Sequence, residues 1–139
     1  MLTNVPLLIV PFIVYNIQVF LHGGIGVWEN EIFSIPLIHG EAWVMKMGDL
    51  MVMLALILLF FEILKATRVG ASSVIDHLLS TFVFIAYLVE FLVVKNAAHS
   101  VFFILMTIAL VDVLAGFTVS IRSATRDVNV GHGGYHGEY

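Results

Sequence analysis

The stretch from Val101 to Ile121 reads VFFILMTIALVDVLAGFTVSI and decides what kind of fold the chain adopts. Its length suits a helix that crosses a membrane, which needs about 20 mostly apolar residues. Asp112 is the only charged residue in it and lies near its middle. A carboxylate at that depth is costly unless it is protonated, paired or hydrated, so Asp112 marks a packing or functional site.

Three more apolar runs of similar length accompany this one. The chain has 139 residues, of which 60% are hydrophobic and 12% are charged, whereas about a quarter of a soluble domain is charged. We therefore predict an all-α polytopic membrane protein, with four transmembrane helices in a bundle at residues 2–21, 43–64, 74–94 and 101–121. Pro11 should kink the first helix. Residues 1–126 form this domain, and residues 127–139 form a Gly/His/Tyr-rich cytoplasmic tail that is expected to be disordered.

Composition also excludes several classes of function. The net charge of −4 and the six Lys and Arg residues argue against a nucleic-acid partner. The absence of Cys removes disulfides, thiolate metal sites and iron–sulfur clusters. No phosphate-binding loop, nucleophile elbow or metalloprotease signature is present. We expect a protein that is not an enzyme, carries no cofactor, and has as partners the lipid bilayer and either itself or other membrane subunits.

The connection between the first two helices, residues 22–42, is the longest one. It opens with glycines and continues with apolar side chains among three glutamates, a mix that predicts a segment lying at the membrane interface. It contains no Lys or Arg, whereas basic residues flank the second connection and follow the fourth helix. The positive-inside rule then places both termini in the cytoplasm, and a bacterial inner membrane is the expected location.

Polar and small side chains form stripes on these helices. On the third helix, polar residues recur every three or four positions and define one face; they are Ser73, Asp76, Ser80, Tyr87 and Glu90. The fourth helix carries small residues around Asp112, namely Ala109, Gly116 and Ser120. Small residues at this spacing let helices approach closely, so we expect this stripe to be a helix–helix interface.

The intramembrane polar residues have two interpretations. One is ordinary packing, in which hydrogen bonds between helices hold the protein together. The other is a path for protons or cations, because proton relays need titratable groups at several depths. The candidates for either role are Asp112, Glu90, Asp49, Lys46, Glu62, Asp76 and Tyr87. Within the second helix, we expect Lys46 to pair with Asp49 and Glu62 to pair with Lys65.

Histidines and methionines offer weaker alternatives. His22, His39 and His99 all fall on the outer side of the predicted helices and are low-priority candidates for a haem or metal site. No two of them share a helix at ligand spacing, so we expect interfacial hydrogen bonding instead. Met47 and Met51 are four residues apart and suit a Cu(I) thioether site, but methionine more commonly fills cores.

Three functions fit this pattern. The leading one is a non-catalytic accessory or scaffold subunit that oligomerises or packs into a larger membrane complex. The second is a small proton- or cation-coupled transporter or channel that uses the intramembrane carboxylates. The third is a haem-binding electron carrier that uses the outer histidines.

The orientation is open to a direct test. A topology reporter fused after Tyr139 should be active only in its cytoplasmic form, because Lys65, Arg68, Arg122 and Arg126 all lie on the same predicted side. Activity of a periplasmic reporter at that position would invert the orientation.

Overall fold

The computed structural model describes residues 4–68 and 71–132, which form four α-helices and one antiparallel pair of strands. Short 3-10 helices lie at Ile25–Glu29 and Lys95–Ala97. In chain order the elements are α1 Ile9–Leu21, β1 Glu31–Pro36, β2 Ala42–Lys46, α2 Met47–Ala66, α3 Ala71–Val93 and α4 Ser100–His132. The prediction of a mostly helical protein with four helices is confirmed.

Three of the helices are long and apolar enough to cross a membrane, within the part of the chain that the structure describes. The qualifying segments are Met47–Ala66, Val74–Val93 and Ser100–Arg122. They lie close to the apolar runs that the sequence marks, since a run of this length has to bury its backbone hydrogen bonds in a helix. These three helices support residence in a membrane.

The first helix is shorter than predicted, because α1 has 13 residues and begins at Ile9. Pro6 lies before it and supplies only a carbonyl, which accepts the N–H of Ile9 at 3.2 Å. Pro11 is therefore in the first turn, where the missing N–H of proline costs nothing. The prediction that Pro11 kinks the middle of a long helix is wrong for this reason.

The connection after α1 contains a β-hairpin that the sequence did not lead us to predict. Ile35 pairs with Trp43, and Phe33 pairs with Met45. Trp43 thus belongs to β2, and the second helix begins at Met47 instead of at residue 43. The boundary is fixed by Asp49, whose Oδ2 accepts the backbone N–H of the last strand residue, Lys46, at 3.0 Å.

An aromatic core holds α1 against the other helices. The ring of Tyr15 stacks on Trp28 with centroids 4.8 Å apart and meets the edge of Phe102 at the same distance. The Tyr15 hydroxyl donates to the carbonyl of Asn96 at 2.8 Å, and the Tyr87 hydroxyl donates to the carbonyl of Leu8 at 3.0 Å. Buried tyrosines need such partners, so these bonds fix where α1 sits.

The longest helix, α4, packs against both α2 and α3. It continues past residue 121, where the sequence predicts its end, as far as His132. The predicted tail therefore begins within a helix, and residues 133–139 lie outside the described part of the chain, as does the Ser73 side chain. On α1, Ile13, Ile17 and Phe20 are exposed, as expected for side chains that face lipid.

Gly48 tests the packing of α2 on α4. A Cβ added there would lie 2.7 Å from Cγ2 of Val101 and 3.2 Å from the carbonyl oxygen of Trp28. Overpacking of this kind typically costs about 1–3 kcal/mol, so Gly48→Ala should lower the thermal unfolding midpoint in detergent. Gly26→Ala is the matched control, because nothing lies within 4 Å of its added Cβ. Equal midpoints for the two variants would contradict this packing.

Candidate functional site

A buried group of polar side chains lies between α2, α3 and α4, and we call it the Asp112 cluster. Asp112 is 5% exposed and Glu62 is 5% exposed. His77 and Ser80 on α3 are also buried. The full cluster is Glu62, Lys65, Asp76, His77, Ser80 and Asp112, which line one small cavity together with Ala66 and Gly116.

Asp112 finds its partner on a neighbouring helix. The Ser80 side chain is hydrogen-bonded to the Asp112 carboxyl group, and Glu62 is near enough to act on it electrostatically. The sequence placed Ser80 and Asp112 on polar faces of different helices, and the structure brings those faces together. Asp112 is thus a contact between α3 and α4 as well as a titratable group.

Glu62 links α2 to the segment that precedes α1. Its Oε1 accepts the backbone N–H of Leu7 and lies 3.4 Å from the Nζ of Lys65. Lys65 also donates to the carbonyl oxygen of Val5 at 2.9 Å. The predicted Glu62–Lys65 pair is therefore present, but Glu62 is buried by the N-terminal segment instead of reaching the surface. The pair satisfies backbone groups that the prolines leave outside any helix.

His77 is the member of the cluster that the sequence analysis left out. Its ring lies 5.2 Å from the ring of Phe117, and a Cβ on Gly116 would come within 2.9 Å of its Cε1 and Nδ1 atoms. Gly116 is thus small because His77 occupies the space beside it. The signal in the sequence was the spacing of His77 and Ser80, which are three residues apart and so share a helix face.

The cavity within the cluster is about the size of one water molecule. Its volume is about 10 Å³, near the minimum that holds a single water. Oδ1 of Asp76 is buried and has no hydrogen-bond partner among the residues that the structure describes. An ionised carboxylate only accepts hydrogen bonds, so this oxygen calls for a donor from outside that described part.

The small-residue stripe of α4 faces the inside of the chain. Ala109 is buried in the core, and Gly116 contacts His77. Ser120 is partly buried on the same helix. The stripe therefore serves as an interface between helices of one chain.

Glu90 and Tyr87 lie further along α3, apart from the cluster. The Asn16 side chain is hydrogen-bonded to Glu90, while Oε1 of Glu90 is buried without a partner. Between Ser80 and Glu90 the inward positions are Val83 and Tyr87, both buried. The predicted series of acids across the membrane is interrupted there by an apolar and aromatic layer.

Lys46 and Asp49 do not form the helical pair that was predicted, because Lys46 belongs to a strand. The Nζ of Lys46 instead lies 2.6 Å from Oε2 of Glu29. This hydrogen bond lowers the pKa of Glu29 and raises the pKa of Lys46, and charge attraction adds to both shifts. His99 Nε2 lies 3.7 Å from the other Glu29 oxygen. These contacts join the hairpin to the loop before α4.

The remaining histidines and methionines are placed separately. His22 Nδ1 lies 3.0 Å from its own helix's Gln18 carbonyl, and His39 is exposed in the hairpin turn. Among residues 4–68 and 71–132, no three His, Asp or Glu side chains are grouped to hold a metal ion. Met47 and Met51 both pack in the apolar core.

Comparison with known proteins adds no relative: the chain matches no protein-family model, no curated protein and no solved structure.

Substitution of Asp112 separates shape from charge. Asp112→Asn keeps the size of the side chain and its hydrogen bond with Ser80, so the unfolding midpoint should stay close to that of the wild type. Asp112→Leu removes the partner of a buried hydroxyl group, which costs about 1–3 kcal/mol, and should lower the midpoint. The measurement is thermal unfolding followed by circular dichroism in detergent. A midpoint for Asp112→Asn as low as that for Asp112→Leu would show that the ionised form carries the stability.

Proposed function

We propose that this protein is a non-catalytic subunit of a membrane assembly, and that it joins a second copy or another membrane subunit through its β-hairpin. In this proposal the four helices form a bundle in a bacterial inner membrane, with both termini in the cytoplasm. The hairpin then lies at the outer surface, next to the lipid headgroups. It is the single observation that carries the proposal.

The hairpin exposes an apolar face that nothing in the described chain covers. All six residues of β1 are exposed. On one face, Phe33, Ile35 and Trp43 are 44%, 47% and 43% exposed, and the turn carries Ile38, which is fully exposed. Contiguous exposed apolar surface of this kind is typical of interaction sites. An isolated two-stranded hairpin is only marginally stable in water, so a covering surface would stabilise it.

The strand edges add a second means of attachment. Among the described residues, β1 pairs only with β2, which leaves the outer edge of each strand unpaired. Unpaired edges are templates for strand addition by another chain. Lys46 and Glu29 secure the base of the hairpin with their ion pair, so the site would be presented in a fixed position.

The polar contacts inside the chain favour a structural role for the helices. Tyr15, Tyr87 and Glu62 each bond to a backbone group of another segment. Bonds of this type hold segments together and leave few groups free to bind a solute. These bonds favour a scaffold that positions its hairpin. They disfavour a carrier that changes shape around a substrate.

Transport of protons or cations is the second candidate, and the Asp112 cluster favours it. Titratable groups within a membrane helix are commonly part of an ion path. In this chain, however, the buried Val83 interrupts the polar face of α3, and the Tyr87 hydroxyl is already bonded to the carbonyl of Leu8. A transporter would therefore need a second chain to complete the path, which again makes assembly the first question.

A haem-binding electron carrier is less favoured by the geometry. His22 and His39 are both exposed at the hairpin end, and His99 lies beside Glu29. An absorbance spectrum of protein purified from haem-replete cells tests this alternative. A Soret band that is lost on substitution of His22, His39 or His99 would establish it.

The two faces of β1 provide a matched test of the assembly role. Ile35→Lys places a charge on the apolar face, and should release the protein from its complex on native electrophoresis of solubilised membranes. Ser34→Lys places the same charge one residue away on the opposite face, and should leave the complex intact. A wild-type protein that migrates as a monomer, or a complex unaffected by both variants, would contradict the proposal.

A further inference from the structure

We infer that the Asp112 cluster binds one exchangeable proton together with one water molecule, and that it exchanges this proton with water at the α2–α3 end of the protein but not at the hairpin end. The inference requires residence in a membrane but does not rest on the assembly role of the hairpin. It concerns a site to which the scaffold interpretation assigns no role.

The acidic groups around the cavity outnumber the basic ones. The charged and titratable groups that face the cavity are Glu62 and Lys65 from α2, Asp76 and His77 from α3, and Asp112 from α4. In the described part of the segment before α1, the contacts with the cluster come from backbone groups, at Val5 and Leu7. Three carboxyl groups thus stand against one lysine and one histidine, and the lysine already pairs with Glu62. An apolar environment disfavours the remaining negative charge, so binding of a proton is favoured.

One carboxyl oxygen of Asp76 is buried without a hydrogen-bond partner. No donor among the described residues reaches this atom, Oδ1, although Asp76 lines the cavity together with Lys65 and Ser80. Either a proton on the carboxyl groups or the O–H of a water molecule would satisfy it. The cavity has room for about one water molecule, which is too small for a hydrated metal ion. The ligand that fits is therefore a proton with a single water.

The two ends of the protein differ in how close water comes to the cavity. At the α2–α3 end, Asp76 is only partly buried, and the Lys65 side chain is 14% exposed, so water can reach the cavity from there. Towards the hairpin end the path meets Tyr87, Phe102 and Leu105, each at most 1% exposed. This layer is packed and apolar, and the Tyr87 hydroxyl is already bonded to Leu8. A proton can thus enter and leave the cavity at the α2–α3 end.

Infrared difference spectroscopy of the full chain in lipid nanodiscs tests the bound proton. At neutral pH the wild type should show the C=O stretch of a protonated carboxyl group, which shifts on transfer to D₂O. The signal should lose more than half its intensity in at least one of Asp112→Asn, Glu62→Gln and Asp76→Asn. These substitutions preserve side-chain size, and circular dichroism verifies that each variant is folded.

Two substitutions of carboxyl groups outside the cluster serve as controls. Glu41→Gln removes an exposed hairpin carboxylate and should leave the signal unchanged. Glu90→Gln removes a partly buried carboxyl group outside the cluster and should leave most of the signal in place. Absence of the signal in the wild type would overturn the inference, and so would a signal that all three cluster variants retain or that Glu90→Gln abolishes.

The inference that the proton is exchanged at one end of the protein is tested with lipid vesicles. The protein is inserted in the vesicle membrane, and a pH-sensitive dye is enclosed inside. The wild type should dissipate an imposed pH gradient no faster than Asp112→Asn, because the aromatic layer closes the path. Faster dissipation by the wild type would overturn the one-sided site and support transport. The Ile35→Lys and Ser34→Lys pair reports on assembly independently of this outcome.

Discussion

A polar group that these apolar helices remove from water has to find its partner within the protein, and this requirement positions α1. Two prolines near the N-terminus prevent a full-length first helix and leave backbone groups without helical partners. The Glu62 carboxylate accepts the N–H of Leu7, and the Tyr87 hydroxyl group donates to the carbonyl of Leu8. Since unsatisfied groups would each cost several kcal/mol in lipid, these bonds determine how α1 packs, and with it the aromatic core around Tyr15.

The helices could be predicted from the sequence because their signal is long and unambiguous. A run such as residues 101–121 has only one way to satisfy its backbone in an apolar environment. The hairpin carries a weaker signal: Ser34 is the one polar residue between Phe33 and Ile35, Ile32 breaks the alternation before them, and Trp43 is followed by further apolar residues. The start of α2 is set by the Asp49 contact with the Lys46 backbone, a bond that composition does not reveal.

Most residues of the candidate site could be identified from the sequence, with His77 as the exception, but their convergence could not be predicted. Asp112 and Glu62 stand out because each is a charge among apolar neighbours. Their convergence depends on how α2, α3 and α4 rotate about their axes, which is decided by packing such as the fit of Gly116 against His77. For Lys46 the predicted partner was wrong, because the second helix begins at Met47 instead of at residue 43, and the Lys46 side chain pairs with Glu29 instead of Asp49.

The 33-residue helix α4 is longer than a membrane crossing requires. At 1.5 Å per residue this helix is about 50 Å long, whereas the hydrocarbon core of a bilayer is about 30 Å thick. Its apolar part ends at Arg122, so an upright α4 carries its backbone roughly 15 Å beyond that point. The last turns of the helix would then form a rigid extension that holds His132, the end of the described chain, well outside the hydrocarbon core.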